Sequence, residues 1–401
     1  MSQPPLPLPH ITVAGTPAEC GTAYGAAAGD LIAANLEIYR RRFRDRAGLD
    51  TAAIVAAGVT FREVTAAHHP RIAAALDGVA AGARVPVPEI YALNARTELL
   101  YGTTQELPAA MPDGGCTAIG VLGTHTATGH LLMGQNWDWS PDQRDAMLLL
   151  ETTDERGHRV LTLAEAGMLA KTGLNSAGVG MCLTMLASDA DGLWHAGPPG
   201  SAGSARAARL ARSPRAPGVP YHVLARAVLE ADCLPWATRS VCRSPRNASI
   251  NLLIGEAGDP AHGDPAVGGE LLDLEVVPGH AGWLHPAGGM ITHANHLETP
   301  LPVHDMQQDW GGSSLFRAAR ARRLLAEAAE SAKVTTDDLV AVFRDHAGFP
   351  HGICRHVDER DVPLERSETV YSVLLDVDSG KLGIAAGPPC AHGYAWLSLP
   401  A

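Results

Sequence analysis

The chain has 401 residues, 46% of them hydrophobic, enough to fill one large or two ordinary cores. With 31 basic against 43 acidic residues its net charge is -12, which argues against a broad nucleic-acid or anionic-membrane surface. Seven scattered cysteines with no Cys-x-x-Cys pair signal neither a disulfide framework nor a thiolate zinc site, and no apolar run reaches membrane-spanning length.

The Pro-rich start has neither the basic nor the apolar region of a signal peptide, so the chain reads as cytoplasmic. A short strand at 10–14 precedes a helical segment at 17–43 that closes on Arg40-Arg41-Arg42, a placement that suits the helix dipole. Asp50 caps a second helix, and residues 71–83 form a third on Ile72, Ala75, Leu76, Val79 and Ala80. A fourth starts at Pro86-Val87-Pro88 and ends near Tyr101. Arg96 and Glu98 on it read as a solvated face or an inter-helix pair.

After Asp113-Gly114-Gly115-Cys116 the periodicity changes to two: 116–121 and 130–138 read as a hairpin, followed by strands at 147–152, 158–164 and 179–185. Residues 197–217, rich in Gly, Pro, Ala, Ser and Arg, read as a long mobile loop or lid. A helix at 220–231, strands at 249–255 and 269–277 around a Gly/Pro/Asp/His-rich insertion at 256–268, and a strand end at 290–296 come next. Helices at 315–331 and 336–346 and strands at 369–377 and 381–386 close the chain. The order helices, strands, helices, strands fits one α+β domain, a four-layer αββα sandwich.

Cys116 stands behind two glycines where helices give way to strands. Glycine takes backbone conformations closed to other residues, so the peptide before Cys116 is a candidate for strain and cleavage. Cleavage would place a thiol and an α-amine on one residue, with ordinary pKa values of about 8.5 and about 7.7–8.0, a nucleophile that brings its own base. The alternative is a buried structural cysteine.

A different class is a metal site among His285, His293, His296, His351, His356 and Cys354. His293 and His296, three apart at a strand end, are expected to face opposite sides, and no His-Glu-x-x-His spacing is present. The histidines therefore read as structural or pocket-lining, with no metal and no cofactor expected.

A series of motifs in order, Gly115-Cys116-Thr117, Gly134-Gln135-Asn136-Trp137-Asp138, Gly173-Leu174-Asn175-Ser176-Ala177-Gly178, Gly218-Val219-Pro220-Tyr221-His222, Thr292-His293-Ala294-Asn295-His296, Phe349-Pro350-His351-Gly352-Ile353-Cys354-Arg355 and Thr369-Val370-Tyr371-Ser372-Val373, resembles the acyl-coenzyme A:6-aminopenicillanic-acid acyltransferase family over nearly the whole chain. This is peptidase family C45, within the N-terminal nucleophile hydrolases. The resemblance implies an αββα fold, self-cleavage at Gly115/Cys116 and action on amides of small molecules through a Cys116 thioester. Residues 1–115 would become a helical small subunit that stays bound, and 116–401 the nucleophile-bearing large subunit. Asp138 would orient the new α-ammonium, Asn295 would donate to the tetrahedral oxyanion, the backbone amide of Asn175 would be a second donor, and Arg366 would lower the thiol pKa. The competing readings are an Asp138 that caps the turn before Ser140-Pro141, a turn role for Asn175 and a solvated Glu365-Arg366-Ser367 turn. The choloylglycine and penicillin V acylase cousins carry Arg where this chain has Gln135, which argues against bile-salt hydrolysis. The two loops at 197–217 and 256–268 hold no family motif. The partner implied is a small-molecule amide or thioester, with hydrolysis favoured because no Gly-rich phosphate loop marks a coenzyme A site. An acyl-coenzyme A-dependent N-acyltransferase and an uncleaved ligand-binding homologue are the alternatives.

Overall fold

A computed structural model describes residues 5–102, 115–192, 217–258 and 269–399. The loop expected at 197–217 and the insertion at 256–268 fall outside the described residues, apart from Pro217, residues 256–258 and the strand start beyond 268. No described helix is long and apolar enough to cross a membrane.

Two sheets stack between helical layers, the αββα sandwich that the element order predicts. One sheet has eight strands, β1 (His10–Gly15), β4 (Met147–Asp154), β5 (Arg159–Glu165), β6 (Gly173–Asn175), β7 (Val179–Met185), β8 (Ile250–Glu256), β9 (Glu270–Val277) and β10 (His280–Leu284), in that spatial order. The other has six, ordered β11 (Met290–His293), β2 (Cys116–Val121), β3 (Leu132–Trp139), β12 (Glu368–Asp376), β13 (Lys381–Ala386) and β14 (Ala395–Ser398). All pairs are antiparallel except β1 with β4. Strands β2 and β3 pack on β7 across the sandwich. Both faces of these strands are covered, and β2 and β3 are accordingly buried at every residue rather than alternating.

The N-terminal helical layer differs from the sequence reading at two breaks. The segment expected as one helix at 17–43 is two, Pro17–Ala27 and Gly29–Ala47, hinged at Ala28. The first is opened by a capping box between Thr16 and Glu19. It crosses Pro70–Ala83 on glycines: a Cβ on Gly21 would lie 2.0 Å from the Ala75 carbonyl oxygen, and one on Gly82 2.1 Å from that of Thr22. Asp50 caps Thr51–His68 as expected, its Oδ1 accepting from Ala53 N at 2.8 Å. The fourth expected helix is also split, into Val87–Asn94 and Arg96–Gly102.

The helix Ser314–Ser331 covers β11 and β2, and Thr336–Phe343 covers β3, through an apolar layer that includes Ile119, Leu325, Val342 and Phe343. The outer face of the eight-stranded sheet receives Tyr221–Leu229 and Leu234–Cys242, whose Val228 and Val241 join Ile250, Leu252 and Ile254 of β8 in one apolar cluster.

Strand register gathers the candidate residues. Cys116 opens β2 opposite Trp137 of β3, and Asp138, the next residue on β3, lies opposite Thr369 of β12. On the other side of β2, β11 ends at His293, so Asn295 leaves the sheet beside the start of β2.

Candidate active site

Cys116 is buried at the edge of the main apolar core, with polar partners on its backbone. Its backbone N–H donates to Asn295 Oδ1 at 2.8 Å, and the carbonyl of Gly115 accepts from the Asp138 N–H at 2.6 Å. Asn295 Oδ1 also accepts from Arg317 Nη2 at 2.7 Å, while Asn295 Nδ2 donates to the Met185 carbonyl at 2.9 Å. Two donors on one atom and an acceptor on the other fix the amide orientation. One Nδ2 hydrogen is thereby used by the Met185 carbonyl.

Arg317 also donates through Nη1 to the Cys116 carbonyl and, at 2.8 Å, to Thr117 Oγ1. The sequence reading missed this residue. Arg317 shares a helix face with the buried Ala321 and Leu325, at intervals of four, a spacing that places it on the inner face without naming its partners.

Asp138 does not cap the Ser140 turn. Its Oδ1 accepts from Thr369 Oγ1 at 2.7 Å, and Oδ2 lies 3.4 Å from Arg355 Nε without a hydrogen bond among the described residues. Burial lifts the Asp138 carboxyl above its ordinary pKa, against the pull of Arg355 and Arg317. Arg355 is itself buried, held by Ser313 Oγ at 2.8 Å and His351 Nδ1 at 2.9 Å.

A second charged group lies under Trp137. Lys171 Nζ sits 3.5 Å from the Trp137 ring centroid and 3.0 Å from Glu165 Oε1, which also binds Arg96 Nη2 at 2.8 Å. Burial brings the Lys171 pKa down to about 8, with Glu165 pulling the other way. Burial also pushes the Cys116 thiol up, partly offset by the Lys171 charge. Arg96 is therefore no solvated helix residue: it is buried, with its guanidinium 4.6 Å from the Trp139 ring centroid. Glu98, also buried, accepts from the Tyr221 N–H at 2.8 Å.

Two expected residues stand elsewhere. Arg366 bonds to Glu359 Oε2 at 2.9 Å and to the carbonyls of Glu359 and Asp361, on a partly exposed turn; the guanidinium facing Asp138 belongs to Arg355. Asn175 braces its own turn, Oδ1 accepting from Ala177 N and Val179 N and Nδ2 donating to the Leu229 and Ala231 carbonyls. It lines a cleft with Ser176, Glu256 and Asp378, at the end of β12 away from Asp138.

The histidines and the cysteine weighed as a metal site do not assemble as one group. His293 is bonded to Glu275, His351 to Arg355 and Asp358, and His285 is exposed, while Cys354 and His356 stand together, 3.7 Å from Sγ to Nε2. The rings of His293 and His296 stack with centroids 6.4 Å apart rather than facing opposite ways, because the strand stops at His293.

The chain is 24% identical over 386 residues, 95% of its own length and 93% of the relative's, to the acyl-coenzyme A:6-aminopenicillanic-acid-acyltransferase 40 kDa form of Emericella nidulans. Among solved structures it is similar to penicillin V acylase from Agrobacterium tumefaciens, at 13% identity over 71% of this chain and 86% of that one, TM-score 0.42. It is also similar to a mutant conjugated bile acid hydrolase from Clostridium perfringens, at 10% identity over 71% of this chain and 97% of that one, TM-score 0.42. The family described as acyl-coenzyme A:6-aminopenicillanic acid acyl-transferase matches residues 125–390, a span that holds Asp138, Lys171, Asn295, Arg317 and Arg355. The chain belongs to that family.

Proposed function

We propose that the protein is a self-processing enzyme that cleaves itself at Gly115/Cys116 and then transfers acyl groups from small-molecule amides through a Cys116 thioester. The observation that carries this reading is Asp138: its backbone N–H holds the Gly115 carbonyl, and its buried Oδ2, 3.4 Å from Arg355 Nε, accepts no hydrogen bond among the described residues. A new α-ammonium on Cys116 is a donor of the right charge for it.

Before cleavage Cys116 has no amine, so its thiol proton needs another acceptor. Lys171, brought down to about 8 by burial, is in electrostatic reach: its neutral fraction would take the proton, and the ammonium so formed would favour the thiolate. The thiolate then attacks the Gly115 carbonyl carbon, and the developing oxyanion is met by the Asp138 N–H already bonded to that oxygen. Returning the proton to the leaving nitrogen as the C–N bond breaks leaves a Gly115 thioester and a free Cys116 amine, and water releases the Gly115 carboxylate and regenerates the thiol. In turnover the amine takes the thiol proton, the substrate acyl group replaces Gly115, and the spare Asn295 Nδ2 hydrogen serves the oxyanion. Water is the favoured acceptor of the acyl group.

The fragment 1–115 would stay bound after cleavage. It supplies β1 to the eight-stranded sheet, and Arg96 and Glu98 reach across to Glu165 and the Tyr221 N–H. The test is the intact mass of wild type and Cys116→Ala under denaturing conditions. Two fragments meeting at Gly115/Cys116 in the wild type and one full-length species in the variant are expected; a stable full-length wild type would end the terminal-amine mechanism.

A further inference from the structure

Behind the active site, four side chains from three segments meet at the surface. His346 follows the helix Thr336–Phe343, Cys354 and His356 flank Arg355, and Cys390 lies in the turn after β13. Their four ligating atoms all lie within 4.8 Å of one another. His346 Nε2 is 3.1 Å from His356 Nε2, which is 3.7 Å from Cys354 Sγ and 3.5 Å from Cys390 Sγ.

Hydrogen bonding does not account for this convergence. A ring nitrogen either donates one hydrogen or accepts with one lone pair, yet three groups close on His356 Nε2. A cation at the centre does account for it. Zinc bonds of about 2.0–2.1 Å to nitrogen and about 2.3 Å to sulfur place tetrahedral ligands about 3.3 Å apart for two nitrogens and about 3.5 Å for nitrogen and sulfur. The three separations around His356 Nε2 are close to those edges, and the remaining ones, within 4.8 Å, close to them with a small inward shift of the side chains.

We propose that His346, Cys354, His356 and Cys390 form a closed Cys2His2 site for zinc that ties the loop carrying Arg355 to the turn after β13. Four protein ligands leave no open position, so the role is structural. Cys354 is buried and His346 and Cys390 are exposed, which gives the ion an entry path. Coordination forms two Zn–S and two Zn–N bonds and releases the two thiol protons to solvent. The ion would hold Arg355 against Asp138 from outside, since Cys354 adjoins Arg355 and the Ile353 carbonyl accepts from Asn136 Nδ2 on β3 at 2.9 Å.

The test is metal analysis of the untagged full-length chain, made in a Cys116→Ala background so that Cys116 cannot hold zinc, after incubation with zinc chloride and gel filtration. About one zinc per chain is expected, together with a thiolate-to-metal charge-transfer band when cobalt replaces zinc. Both should fall to background in the Cys390→Ser/His346→Ala variant, whose changes sit at exposed positions, while circular dichroism reports its fold. A chain that holds less than about a tenth of an equivalent, zinc that survives in the variant, or a Cys354–Cys390 disulfide formed in the presence of zinc would each overturn the site. None of these outcomes bears on self-cleavage, which the mass of the wild type reads separately.

Discussion

Asn295 and Cys116 meet side chain to backbone, Oδ1 accepting the Cys116 N–H at 2.8 Å. The contact joins the end of β11 to the start of β2 and holds the peptide that cleavage would break. Asn295→Ala removes this acceptor and the spare Nδ2 hydrogen together. Acyl turnover is expected to fall roughly 10²–10³-fold, the usual cost of one oxyanion donor, with KM changed less than kcat. Steady-state kinetics on a chromogenic amide would check it, and an unchanged kcat would remove Asn295 from the chemistry.

Gly115 has no room for a side chain. A Cβ there would lie 2.3 Å from Asn295 Oδ1 and 2.6 Å from Arg317 Nη2, both fixed by other bonds. Gly115→Ala is expected to cost about 1–3 kcal/mol as overpacking and to slow self-cleavage by shifting the scissile carbonyl from the Asp138 N–H. Denaturant titration and a time course of fragment formation would measure the two effects apart.

Asp138→Asn separates two roles of the carboxylate. Arg355 loses its buried counter-ion, for which roughly 3–5 kcal/mol of destabilisation is expected. The α-ammonium of the processed enzyme would lose the same charge, so its pKa falls and the free amine persists to lower pH. The acid limb of kcat/KM should therefore move down in pH in whatever processed enzyme forms. A limb that stays in place would show that Asp138 does not face the amine.

Local patterns made part of this legible. The β2–β3 hairpin is legible as two short runs around a Gly-bounded turn, although both strands are buried at every residue instead of alternating, and Cys116, Asp138 and Asn295 sit at or beside the strand ends. Arg317, Arg355 and Lys171 were missed because a buried charge is defined by partners distant in sequence, as Arg317 is by Cys116 and Asn295. The break at Ala28 leaves no trace in an Ala-rich run, and β10 and β14, short edge strands, carry too few residues to show a period. Arg366 stands apart from Asp138 because proximity to β12 in sequence says nothing of the direction its turn takes.

His293 ties the two sheets together through Glu275, and its surroundings favour the charged imidazolium. Nε2 faces Glu275 Oε1 of β9 at 2.9 Å and Nδ1 faces the Ala294 carbonyl at 3.0 Å, so both nitrogens have an acceptor. Burial works against the charge, but Asp273 and Glu275, with Glu298 beyond them, raise the pKa to about 9. His296, whose own pKa is lowered by burial and by His293, is the other titrating neighbour. A folded pKa above the unfolded value of about 6.5 means stabilisation that is complete below about pH 6.5 and lost as pH rises through about 9. Burial holds Asp273 at about 6, so it titrates at the lower edge of that window and only His293 titrates at its upper end. Wild type is thus expected to lose on the order of 1–3 kcal/mol between about pH 6.5 and about 9 relative to His293→Gln, which is less stable at neutral pH but lacks this slope. Urea unfolding at several pH values would read both curves, and parallel curves would mean that His293 is neutral in the folded chain.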